Sequence, residues 1–175
     1  MSGVSVALVD GKKGQLTPEL LIKAIRKAEG SLGHYPDGTL VCVENTANRG
    51  GGTCYSQENL DGVAKTAREH GCKVHMDGAR IFNASIKTNT PVSRMLKEFD
   101  SVSICLSKGL GAPVGSLLVG STDFIAKASR WRKMFGGGMR QSGILAAAGM
   151  YALDNNIQRL SEDHSRAKRL ATALN

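Results

Sequence analysis

Ser103–Gly115 reads SICLSKGLGAPVG, an apolar run that ends in a lysine and is followed by a glycine-rich turn. Val102, Ile104, Cys105 and Leu106 favour extended backbone, and Gly109, Gly111 and Pro113 stop them, so a short strand covered on both faces is expected. Lys108 then stands at the strand's C-terminal end. Open α/β sheets gather their ligands in the crevice outside such ends. A lysine desolvated there is available as the neutral amine, the form that attacks a carbonyl. The plainer alternative is a solvated lysine on a turn.

Outward from this run, strand and helix patterns alternate. Thr17-Pro18-Glu19 starts a helix whose Leu21, Ile22, Ile25 and Ala28 form an apolar stripe to about Gly30. Leu40–Glu44 reads as a strand. Ser56 caps a helix with Leu60, Val63, Ala64 and Ala67 on one face, ended by Gly71. Lys73–Asp77 is the next strand, followed by a short helical passage from Ala79 to Ile86 and a helix from Pro91 to about Phe99. Gly115–Val119 returns as a strand too closely connected for a crossover, and is therefore expected to be antiparallel. From Thr122 the pattern is helical: a basic stretch to Phe135, a break at Gly136-Gly137-Gly138, a small-residue helix from Gln141 to Leu153 and an amphipathic one from about Ile157 to Leu174. The expected fold is α/β, a mostly parallel sheet with flanking helices, with a βαβ core over about 1–120 and a helical segment over about 121–175. The chain enters a strand-like run almost at its start, and both ends read as cuts in a larger fold.

Composition narrows the function. The 175 residues carry a net charge of +8, but Lys and Arg are spread among Asp and Glu without a long basic run, which argues against a nucleic-acid partner and suits a small anionic ligand. Cys42, Cys54, Cys72 and Cys105 are far apart, as are His34, His70, His75 and His164. Reduced thiols in a cytoplasmic compartment and no metal site are expected. The start lacks a signal-peptide core and no stretch approaches membrane-spanning length, so no membrane partner is expected.

Three parallel strands would bring Glu44-Asn45-Thr46, Asp77-Gly78-Ala79-Arg80 and Ser107-Lys108 to one edge. A strand-end acid and a strand-end lysine are what pyridoxal phosphate requires: the amine holds the aldehyde as an imine, and the carboxylate pairs with the pyridine nitrogen. Arg80 adds planar paired donors for an oxygen of the cofactor or for a substrate carboxylate. Taken singly, Asp77 also suits a helix N-cap, Arg80 a surface ion pair, and His75 strand packing.

The stretches ENTANRGGGT (44–53), HMDGARIFNA (75–84), SICLSKGLGAPVGS (103–116) and RKMFGGGMRQSG (132–143) resemble, in order, the motifs of the threonine aldolases. These are pyridoxal-phosphate lyases of the aspartate-aminotransferase fold, type I. The resemblance implies that the chain is the central part of that fold's large domain, lacking the family's N- and C-terminal portions. It implies Lys108 as the covalent anchor and catalytic residue, with Asp77 on the pyridine nitrogen. Arg80 would bind the phenolic oxygen and orient the substrate carboxylate, and Ser107 would line the pocket. Lys133 and Arg140 would approach the site across a subunit boundary of a homo-oligomer; their alternative is a solvated helix face. The implied reaction is retro-aldol cleavage of L-threonine or L-allo-threonine to glycine and acetaldehyde. Many relatives have histidine where this chain has Ala47. A truncated non-catalytic remnant and another lyase acting on β-hydroxy-α-amino acids are the alternatives. A dinucleotide-binding domain is disfavoured because GLGAPVG lacks G-x-G-x-x-G spacing.

Overall fold

Four adjacent strands position everything else. The computed structural model describes residues 3–29 and 33–174. Its sheet has the order β1 (Leu40–Glu44), β2 (Lys73–Asp77), β3 (Ser101–Cys105), β4 (Ser116–Gly120). The first three strands are parallel and β4 is antiparallel to β3, as its short connection requires. Around them lie α1 (Pro18–Ala24), α2 (Gln57–Glu69), α3 (Ile81–Thr88), α4 (Val92–Met95), α5 (Thr122–Met134), α6 (Gly143–Asn155) and α7 (Leu160–Leu174). The mostly parallel sheet with flanking helices is therefore present.

One face of the sheet makes the main core. Val41, Val43, Val74, Met76, Val102 and Ile104 pack with the α2 stripe of Leu60, Val63, Ala64 and Ala67, and Ser56 caps α2 by accepting from the Asn59 N–H at 3.2 Å. Fully burying a side chain such as Leu60 contributes about 1.5–3 kcal/mol. A second cluster joins Leu106, Leu110 and Ala112, just past β3, to Ala152 of α6 and Leu160 of α7. The C-terminal helices are thus docked at the end of the third strand.

Several expectations are corrected. β3 is not covered on both faces: Val102 and Ile104 are buried, but Ser103 and Cys105 opposite them are partly open, and β4 is exposed along its whole length. The second face carries Lys73, His75, Asp77 and Ser103, polar side chains that gain nothing from an apolar cover. α1 stops at Ala24 because Ile25 turns to extended backbone and the following residues bond sideways. There Gly38 N–H donates to the Arg26 carbonyl at 2.8 Å, and Ala28 N–H donates to Asp37 Oδ1 at 2.9 Å. Gly30, the expected end of that helix, lies outside the described residues. The helix started by Pro91 ends at Met95, and Leu96–Phe99 closes as a turn through the Phe99 N–H and the Leu96 carbonyl. The strand-like run near the start joins no sheet, and its Val4, Val6 and Leu8 are exposed.

Asp100 pins the start of β3 to β2. Its Oδ2 accepts from the Val74 N–H and its Oδ1 from Lys73 Nζ, each at 2.9 Å. Burial raises the Asp100 pKa, but these bonds outweigh it and leave the carboxyl below its ordinary value. Asp100→Ala orphans the buried Val74 N–H, so denaturant unfolding is expected to show a loss of about 1–3 kcal/mol.

Candidate active site

β1 and β2 end level, with Glu44 opposite Asp77, while Asp77 lies opposite Ser103, so β3 runs on beyond them. The seam is closed by backbone bonds. Asn45 N–H donates to the Asp77 carbonyl at 2.9 Å and Gly78 N–H to the Ser103 carbonyl at 2.8 Å. Position 78 must be glycine, since a Cβ there would come within 2.8 Å of Val102 Cγ2 and 3.0 Å of the Ser103 carbonyl oxygen. Asp77 Oδ1 accepts from the Ala79 N–H at 3.0 Å. This fixes the turn into α3, but the residue at the N-cap of that helix is Arg80, so Asp77 is not the N-cap that its position also suited. Its Oδ2 takes no hydrogen bond among the described residues.

Past β3, the Ala112 N–H returns to the Leu106 carbonyl at 3.0 Å and the Gly111 N–H to the Lys108 carbonyl at 2.9 Å. Lys108 therefore stands at the tip of a closed turn that Gly111 completes at φ +75°. Ser107 and Lys108 are exposed and Arg80 is half-buried. None of the three side chains has a hydrogen bond or ion pair among the described residues, although seven ion-pair contacts form elsewhere on the surface. The burial expected around Lys108 is not supplied by these residues, because its side chain is exposed although the turn's Leu110 and Ala112 are buried.

Asn45 stands at the same strand ends, with no role read from the sequence. It is fully buried, its Oδ1 accepts from the Tyr55 N–H at 3.4 Å, and its Nδ2 has no partner among the described residues. A buried amide donor left unpaired next to the strand ends is costly unless something polar meets it. An amine, a carboxylate, a guanidinium and this donor at one sheet edge suit a phosphorylated, carbonyl-bearing heteroaromatic group such as pyridoxal phosphate.

Comparison with known proteins supplies the family. The model of the family described as Beta-eliminating lyase matches residues 1–175. The chain belongs to that family. It is 51% identical over 162 residues to low-specificity L-threonine aldolase 1 of Arabidopsis thaliana, spanning 93% of this chain and 45% of the relative. It is 52% identical over 141 residues to the low specificity L-threonine aldolase of Escherichia coli (strain K12), spanning 81% of this chain and 41% of that protein. The chain thus spans less than half the length of these curated relatives. Among solved structures, Leishmania major threonine aldolase shares the fold with a TM-score of 0.80 at 22% identity, over 94% of this chain and 48% of that one. The PLP-bound C–S lyase from Staphylococcus hominis shares it with a TM-score of 0.58 at 15% identity, over 89% of this chain and 38% of that one.

Other features of this chain lie away from the strand ends. Lys133 closes the last turn of α5 and Arg140 follows the triple glycine; both are exposed and neither is bonded to the strand-end residues. A groove of about 510 Å³ between α2 and α4 is lined by charges that pair with one another, Arg94 with Asp61 and Arg68 with Glu98, so it acts as a clasp between helices. Among the described residues no cluster of ligands suits a metal ion, and no helix is long and apolar enough to cross a membrane.

His75 packs in the sheet as expected, with Nδ1 2.8 Å from Ser101 Oγ. Burial holds its pKa below the ordinary value, with Asp77 opposing. Because the unfolded chain binds this proton more readily, the contribution is fully present above about pH 6.5 and is lost as pH falls through the lowered folded value. Denaturant midpoints are expected to fall on acidification below that pH, and the fall should be smaller in His75→Asn.

Proposed function

We propose that this chain is the cofactor-anchoring part of a pyridoxal-phosphate-dependent aldolase that cleaves L-threonine or L-allo-threonine to glycine and acetaldehyde. It is then a partial large domain of the type I fold. The observation that carries the reading is the C-terminal sheet edge, where the ends of β2 and β3 bring Asp77, Arg80 and Lys108 to one side of the sheet, each without an ion-pair partner among the described residues.

When bound, pyridoxal phosphate supplies an electron sink for the pair left on Cα as the Cα–Cβ bond breaks. The protein's part is anchoring and electrostatics. Lys108 Nζ is the covalent anchor for the aldehyde carbon, on a turn closed at both of its ends. The Asp77 carboxylate, with Oδ1 engaged by Ala79 and Oδ2 left to accept, holds a proton on the pyridine nitrogen. Arg80 presents its planar donors to the phenolic oxygen or the substrate carboxylate. Ser107, exposed beside the lysine, adds a neutral donor at the same edge. Lys133 and Arg140 add positive charge toward phosphate or carboxylate, contributed from another subunit of a homo-oligomer. The exposed apolar residues of the same stretch of chain, Trp131 stacked on Phe135 at 5.9 Å, Met134 and Met139, support such association. The four free thiols fit a reducing, cytoplasm-like compartment.

The test is acetaldehyde release. The chain loaded with pyridoxal phosphate and given L-threonine or L-allo-threonine is expected to form acetaldehyde and glycine in equal amounts. Release from another β-hydroxy-α-amino acid alone would shift the substrate class. Cofactor binding without cleavage of any of them would favour a non-catalytic remnant.

A further inference from the structure

The turn that carries Lys108 is short of internal support. Two of the three residues after the lysine are glycines, which have the most backbone freedom to lose, and the amine sits at the end of four rotatable bonds. The Lys108 carbonyl is taken within the turn by the Gly111 N–H. The next two carbonyls are taken from a distant part of the chain, the junction between α6 and α7. Arg159 donates from a guanidinium nitrogen to the Gly109 carbonyl at 3.1 Å, and Asn156 Nδ2 donates to the Leu110 carbonyl at 2.7 Å.

Packing reinforces both bonds. Leu160 is fully buried, and a Cβ on Gly109 would come within 2.8 Å of its Cδ2, so the turn lies directly on the start of α7. Asn83 of α3 flanks the same glycine and contacts His164 Nε2 at 3.2 Å, tying α3 to α7 beneath the turn. Arg159 is itself steadied by Asp163 at 3.5 Å. Three successive carbonyls, beginning with that of the lysine, are therefore all engaged, and the turn is gripped from outside by two side chains.

Resting on the reading of Lys108 as the covalent anchor, we infer that Asn156 and Arg159 are positioning residues for it. Their donors are spent on the backbone of the turn. They act by fixing the backbone from which the amine reaches, where a displacement of about 1 Å costs up to about 10²-fold in rate. The substrate-independent step that reads this is attachment of pyridoxal phosphate to Lys108.

The experiment measures the first-order rate constant of adduct formation by absorbance after rapid mixing with excess pyridoxal phosphate, with borohydride trapping and peptide mapping to locate the adduct. Thermal unfolding of each variant, recorded alongside, shows that it is folded at the assay temperature, so the rate constant reports the folded chain. Asn156→Asp keeps the shape and removes the donor, and Arg159→Ala removes the other donor from a side chain that is 41% exposed, so the second variant keeps its fold if the first does not. Each is expected to slow adduct formation at Lys108 about tenfold; Arg159→Ala keeps a melting temperature close to that of the parent, Asn156→Asp lowers it because the carbonyl of buried Leu110 loses its donor and meets a carboxylate, and Arg159→Lys should recover most of the rate. Parent-like rate constants in Asn156→Asp and Arg159→Ala, with the adduct still on Lys108, overturn the inference and leave the anchor reading standing. Absence of a Lys108 adduct in the parent chain removes the anchor reading, and the inference with it.

Discussion

Lys108→Ala is expected to lower cleavage of L-threonine by at least about 10³-fold, because it removes the only nucleophile assigned to the covalent step. Its side chain is exposed and makes no bond among the described residues, so its removal empties no core and orphans no partner. The melting temperature should therefore stay within a few degrees of the parent. A second lysine is poorly placed to substitute. Lys73, at the opposite end of β2, is committed to Asp100, and Lys87 sits in the last turn of α3, away from the strand ends. Acetaldehyde release by the cofactor-loaded variant, beside its thermal unfolding curve, separates a lost nucleophile from a lost fold.

The second large effect belongs to Asp77. Asp77→Asn preserves shape and keeps an oxygen for the Ala79 N–H, but removes the negative charge that would hold a proton on the pyridine nitrogen. Turnover is expected to fall about 10²–10³-fold, the range typical for removal of one preorganised electrostatic partner, with little change in thermal stability. Asp77→Ala should differ in a way that identifies the two roles. It also leaves the Ala79 N–H of a buried turn unsatisfied, adding a stability loss of about 1–3 kcal/mol to the same kinetic defect. Equal turnover in Asp77→Asn and in the parent would show that only the turn bond matters.

The strands were legible because each is a compact β-forming run between strong stops. Leu40–Glu44 and Lys73–Asp77 are found as expected, β3 runs from Ser101 to Cys105, and β4 lies one residue later than expected, at Ser116–Gly120. Helices were less legible where tertiary bonds compete with helical ones. The stripe Leu21, Ile22, Ile25, Ala28 continues past Ala24, yet residues 26 and 28 bond to 38 and 37 instead. The open second face of the sheet was hidden for a different reason: an apolar strand reads the same whether its second cover is present or not.

For the candidate site, Asp77, Arg80 and Lys108 could be picked out because they stand where apolar strand runs end, at the edge where α/β sheets gather their ligands. Asn45 was less visible, since a polar residue after a strand is ordinary and its orphaned amide is a three-dimensional fact. Asn156 and Arg159 left no local signal. A helix-junction asparagine and arginine carry no mark of the carbonyls they reach, which lie 46 and 50 residues earlier in the chain.

The central claim is that the amine at the tip of the 108–111 turn is where pyridoxal phosphate is held. The most direct measurement is a peptide map by mass spectrometry of the chain incubated with pyridoxal phosphate and reduced with borohydride, alongside Lys108→Ala. One stoichiometric adduct on Lys108, absent from the variant, is the expected result. Adducts scattered over surface lysines, equally abundant in both proteins, would contradict it.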